Sequence, residues 1–187
     1  MNNKVKSILV TTLFLSIVQT VIAQKVFLAT GAMAHFFSET PLENIEAKSQ
    51  SMTSVLTTGS NKIQFNVPMR TFKFDKSLME EHFNEKYVES EKYPKATFKG
   101  VINETLDWSR DTVASVTATG TFELHGVTRE ITEKGTLKIV GEKINLVVVF
   151  DITLVDYKIR IPKVVTKNIA EVIRVNLECD FIPYVKK

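Results

Sequence analysis

The chain has 187 residues, of which 44% are hydrophobic and 24% charged, enough for one domain with a real core and unlike low-complexity, collagen-like or disordered chains. Its formal net charge is +3, and without Lys4 and Lys6 of the N-terminal segment 22 basic residues stand against 21 acidic ones. With that balance and no long basic run, nothing supplies the electrostatic footprint that nucleic-acid binding needs.

The N-terminus reads as an address. Residues 1–7 carry two lysines, residues 8–22 are mostly apolar, and Val21-Ile22-Ala23 has the small-x-small pattern of a signal-peptidase site. A signal peptide over residues 1–23 is therefore expected, leaving a domain over residues 24–187 that is periplasmic or secreted. Thr11, Thr12, Ser16, Gln19 and Thr20 interrupt the apolar run, which falls short of a membrane span. No integral span is expected after processing, and no cysteine follows the site to carry a lipid.

The remaining chain reads as mostly strand. From Lys62 to Met69 apolar residues alternate strictly, with Ile63, Phe65, Val67 and Met69 on one face. The apolar set then moves to Phe72 and Phe74, which predicts a one-residue bulge near Arg70 and Thr71. A helix follows from Ser77 to Tyr87, with Ser77 and Glu80 as a capping box and Met79, Phe83 and Tyr87 as one apolar stripe; Pro94 stops it. Glu80, Glu81 and Glu85 read as its solvated face.

Further strands are expected at Ala96–Ile102, Val113–Leu124, Thr128–Val140, Ile144–Leu154 and Val172–Pro183. Ile144–Leu154 is apolar on both faces, which predicts that the helix covers its outer side. In the last strand Ile173, Val175, Leu177, Cys179 and Phe181 share one face. Cys179 is the single cysteine, so no intramolecular disulfide framework and no zinc site on two thiolates can form, and it reads as a small core residue. Antiparallel strands joined by short polar turns, with one inserted helix, indicate an all-β barrel or sandwich.

Catalytic constellations are missing. His35, His82 and His125 lie on different elements with no His-x-His or His-Glu-x-x-His spacing, and no G-x-S-x-G elbow occurs. The histidines read as structural, His125 as bonding local backbone in a hairpin turn beside Gly126. No enzyme activity, cofactor or metal site is expected.

Two segments carry a family resemblance. Glu80–Gly100, EEHFNEKYVESEKYPKATFKG, resembles the helix-to-strand signature of the YceI-like family, whose polar helix runs into a KYP-x-x-x-F strand start. Gly120–Ile131, GTFELHGVTREI, is similar to that family's G-x-L-x-L-H-G-V-T hairpin. The ends depart from the pattern: GAMAHFFSETPLENIEA, Gly31–Ala47, stands where a His-Ser-x-x-x-F segment is usual, and TLVDYKIRIP, Thr153–Pro162, replaces N-R-x-D-F-G.

The resemblance implies an extended lipocalin-like antiparallel β-barrel of about eight strands with one external helix. It also implies a partner, a polyisoprenoid, quinone tail or similar lipid held in the interior. The inward faces that would hold it carry Phe65, Val67, Phe98, Leu146, Val148, Phe150, Val175, Leu177 and Phe181. Eleven phenylalanines outside the signal segment can line such a tube or simply fill it. The alternative reading is thus an exported structural or interaction domain with a side-chain-filled barrel. The sequence leaves room for a homodimer.

Overall fold

A computed structural model of the chain describes residues 25–162 and 167–185. The expected signal peptide lies outside the described residues. Nine strands form one antiparallel sheet: β1 (Val26–Glu39), β2 (Asn44–Thr57), β3 (Lys62–Pro68), β4 (Lys73–Phe74), β5 (Lys95–Ile102), β6 (Thr112–Leu124), β7 (Val127–Val140), β8 (Lys143–Thr153) and β9 (Val172–Pro183). The order β1-β9-β8-β7-β6-β5-β3-β2 returns to β1 through a β1–β2 ladder, so eight strands close a barrel and the two-residue β4 extends β2 beyond β3.

Alternation drives this wall. Along β3, Ile63, Phe65 and Val67 are buried while Lys62 and Gln64 are exposed, and β7 buries Leu137 and Ile139 between exposed Thr136, Lys138 and Val140. The β6–β7 turn shows how local chemistry sets register. Leu124 pairs with Val127, leaving His125 and Gly126 as a two-residue loop at φ 52° and 70°, both in the left-handed region of a type I′ turn.

Two strands were not legible in the sequence. β1 is broken by register shifts between Thr30 and Ala34, beside Gly31 at φ 70°, so its period-2 pattern slips midway. β2 turns Ala47, Ser49, Met52, Ser54 and Leu56 inward, a set too small and too hydroxylated to look apolar. The serines are satisfied internally: Ser49 Oγ lies 2.6 Å from Thr71 Oγ1, and Ser54 Oγ donates to the Gln64 carbonyl at 2.7 Å.

Four expectations need correction. Between β3 and β4 a 3-10 turn over Met69–Thr71 replaces the one-residue bulge, and the chain leaves β5 but keeps β2 as its neighbour while Met69 and Phe72 both stay buried. The capping box does not form: Lys76 is the N-cap, Ser77 is already helical, and Glu80 pairs with Lys73 at 2.5 Å. That ammonium holds the Glu80 carboxyl below its ordinary range.

The helix itself is α-helical only over Ser77–His82 (α1), and Phe83–Tyr87 continues as a π-type turn. It does not cover β8, whose outward Val149 is 51% exposed, but stands outside the wall at one end of the barrel. Finally, His125 bonds distant groups instead of local backbone. Its Nδ1 lies 3.0 Å from the Tyr157 carbonyl oxygen and its Nε2 2.8 Å from Glu89 Oε2.

The two barrel ends differ. At the end holding the β7–β8 hairpin, Phe27, Leu56, Leu137, Ile139, Ile144, Cys179 and Phe181 form a packed core. The connection between β5 and β6 lies at this end and packs Leu106 and Trp108 against that core, with the Trp108 indole N–H donating to Asn61 Oδ1 at 3.1 Å. Cys179 is fully buried here, and burial, with Asp180 and Glu178 adding to it, pushes its thiol up to about 12, which makes it inert as a nucleophile.

Candidate functional site

Above the packed half the barrel is hollow. A partly open cavity of about 440 Å³ runs from mid-barrel to the opposite end, within the range of small-molecule pockets. Ile63, Phe65 and Val67 of β3, Ala96 and Phe98 of β5, Phe122 of β6, Leu146, Val148 and Phe150 of β8, and Val175 and Leu177 of β9 form its wall. The ring of Phe65 stands 6.0 Å from that of Phe98, and Phe122 meets Phe150 edge-on at 6.1 Å.

Eight of the nine expected interior residues therefore line the chamber: Phe65, Val67, Phe98, Leu146, Val148, Phe150, Val175 and Leu177. Phe181 does not. It is 1% exposed in the packed half, opposite Ile144 in the β8–β9 ladder. Alternation assigns a residue to the inner face, but it carries no information about height along the barrel axis, and Phe181 lies four residues beyond Leu177 toward the filled end. The filled-interior reading thus accounts for one half of the barrel and the open reading for the other.

The mouth joins β1, which sequence periodicity did not place, to the Phe72–Phe74 segment and the helical stripe, which it found without showing that they meet. Phe36 of β1, Phe72, Phe74 of β4 and Phe83 of the π-type turn pack as one aromatic cluster with ring centroids 5.1–5.7 Å apart. Met79, His82, Phe83 and Tyr87 turn the helical stripe onto the cavity, and burial raises the Tyr87 phenol above its ordinary value. The connection from β8 to β9 adds Leu154, Ile159, Ile161 and Ile169. A 4-residue stripe identified the helix face correctly, but only the pairing of β4 with β2 beyond the end of β3 brings that face over the opening.

Polar groups in this lining are few. Two carboxylates reach it, Glu43 and Glu133. Glu43 is held by Lys76 Nζ at 2.8 Å and Asn168 Nδ2 at 3.3 Å, which draw its carboxyl below the ordinary range. Glu133 sits on the inner face of β7 between Ile131 and Gly135, and burial, assisted by Asp151, raises its carboxyl above the ordinary range. The three histidines are dispersed: His35 Nε2 stands 3.0 Å from Glu46 Oε1 on the wall without hydrogen-bond geometry, His82 borders the cavity, and His125 braces the β6–β7 turn. Among the described residues no three His, Cys, Asp or Glu side chains are grouped to hold a metal, and no helix is long and apolar enough to cross a membrane.

A closed eight-stranded antiparallel barrel, filled at one end and hollow and apolar at the other, is the class of protein that this fold and site define. Residues 25–181 match the YceI-like domain, and the chain belongs to that family. Solved structures share the fold. A polyisoprenoid-binding domain from Saccharophagus degradans, implicated in plant cell wall breakdown, aligns with a TM-score of 0.70 at 15% identity over 85% of this chain and 98% of that one. BcnA of Burkholderia cenocepacia aligns at 0.68 and 13% identity over 80% and 95%, and a Campylobacter jejuni YceI protein at 0.62 and 17% over 79% and 90%. Comparison with curated protein sequences gives no match.

Proposed function

We propose that this chain is an exported binding protein, not an enzyme, that holds a long apolar ligand such as a polyisoprenoid or quinone tail in the hollow half of the barrel. The observation that carries the reading is the apolar chamber of about 440 Å³ ending on an aromatic mouth. Burial of each methylene is worth about 0.8 kcal/mol, so ten of them supply about 8 kcal/mol before ordering costs, and no charged anchor is required for retention. Phe65, Val67, Phe98, Leu146, Val148, Phe150, Val175 and Leu177 are the proposed ligand contacts, while Phe181 supports the floor. The polyisoprenoid-binding domain that shares the fold supports the same class of ligand.

Organic extraction of the native protein followed by mass spectrometry tests the reading. A co-purifying isoprenoid or other long-chain lipid is expected; an extract without one, from a protein that also fails to take up an apolar fluorescent probe, overturns it. The export half of the proposal rests on the N-terminal pattern and predicts that exported protein begins at Gln24. Full-length chain recovered in the membrane fraction overturns that half.

A further inference from the structure

The barrel wall has a window. β7 and β8 pair from Val140 and Lys143 as far as Gly135 and Val148, and there their ladder ends, although β7 continues on β6 to Val127 and β8 continues on β9 to Thr153. Beyond this point, among the described residues, the two sides are linked by Arg129 Nη1 of β7, 3.5 Å from Asp156 Oδ1 in the turn after β8, and by His125 in the β6–β7 turn, whose Nδ1 lies 3.0 Å from the Tyr157 carbonyl oxygen. Glu133 lies on the inner face at the window's edge, one inward position beyond Gly135.

Its charge is uncompensated by any described residue. Of the acids around it, Asp151 on β8 is paired with Arg174 Nε of β9 at 3.2 Å, and Asp156 with Arg129. Facing it across β6 is Ala118, and Tyr157 closes the far side of the window. Glu43, the other carboxylate of the lining, has both of its partners at the mouth. Glu133 is therefore a hydrogen-bond acceptor in a mostly apolar chamber, beside the gap in the β7–β8 ladder. Desolvation makes such a group selective: it gains from a donor and is penalised by a second anion.

We propose that Glu133 receives the polar end of the chamber's ligand at this window, and that this end is a hydrogen-bond donor, a hydroxyl or an amine, in preference to a carboxylate or phosphate. The inference rests on the chamber being a ligand site. Without Lys4 and Lys6 of the N-terminal segment 22 basic residues stand against 21 acidic ones, so global electrostatics does not disfavour anions and a preference against them has to be local.

The test is displacement of a bound apolar fluorescent probe from the processed protein by four ligands of equal chain length: dodecanol, dodecylamine, dodecanoate and dodecyl phosphate, each below its micelle concentration. The alcohol and amine are expected to bind about tenfold or more tightly than the two anions. Glu133→Gln is expected to bring the four within about threefold, and Glu133→Lys to reverse the order, with thermal melts confirming that each variant is folded. Equal binding of all four by the unmutated protein, or a preference that survives both substitutions, overturns the head-group inference and leaves the chamber intact. Failure of all four to displace the probe overturns the chamber reading and this inference with it.

Discussion

The division of the barrel into a filled and a hollow half makes the same substitution behave differently at two heights. Phe181 is 1% exposed and packed on all sides, so Phe181→Ala leaves a void that its neighbours cannot fill, at a cost of about 3–5 kcal/mol. For a domain of this size that lowers the melting midpoint by about 6–20 °C. Phe98 is also buried, at 8% exposure, yet one side of its ring already borders the chamber. Phe98→Ala enlarges existing space instead of creating it, and about 1–2 kcal/mol is expected. Binding should show the reverse pattern. Loss of the Phe98 ring removes ligand contacts worth about 1–2 kcal/mol, a 5–30-fold loss of affinity for an apolar probe, while Phe181→Ala leaves the folded protein within about threefold of the original. Urea titration with probe binding at saturating folded fraction reads both. Equal destabilisation by the two variants, or an equal loss of binding, refutes the filled-and-hollow description.

Phe150→Asp places an unpaired charge on the chamber wall and should abolish probe binding, whereas Lys138→Ala on the exposed face of β7 leaves it unchanged in the same titration. Gly126→Ala should cost at least about 1–2 kcal/mol by thermal melting, because the residue sits at φ 70° and a Cβ there would meet the Tyr93 ring at 2.5 Å. Burial raises the Glu133 carboxyl, so the folded state binds that proton more tightly than the unfolded one and loses stability as pH rises through the raised value. Glu133→Gln should accordingly raise the melting midpoint at neutral pH, with the gain vanishing below about pH 4; a constant gain across that window contradicts the assignment.

Sequence patterning identified the barrel through β3 and the strands from β5 to β9, because apolar residues recur there at every second position, broken in β7 where Glu133 and Gly135 take inner-face places. The Ser77–Glu80 spacing suggested a cap, yet the cap depends on where the backbone turns into the helix, and the tight β4–α1 connection moves that point to Lys76. β1 and β2 escaped because a bulge breaks one pattern and inward serines disguise the other. For the site, period-2 reading separates inside from outside, which is why Phe65, Phe98 and Val148 fall on the chamber. It cannot rank residues by depth, which is why Phe181 does not. Glu133 lies on an inward position of β7, but an isolated acid in a strand reads as a solvated residue until the missing β7–β8 pairs show what stands beside it.

The filled end also carries the described ends of the chain. Val26 opens β1 there, and the Tyr184 N–H donates to the Val26 carbonyl at 2.7 Å just after β9 closes. Anything attached through residues before Val26 or after Tyr184 is joined to the base of the vessel, with the aromatic mouth at the far end. Tethering to a bead, a sensor surface or a neighbouring domain by either route presents the mouth outward and free to load. Such attachment at the β8–β9 connection instead lands on the rim, where Leu154, Ile159 and Ile169 border the cavity.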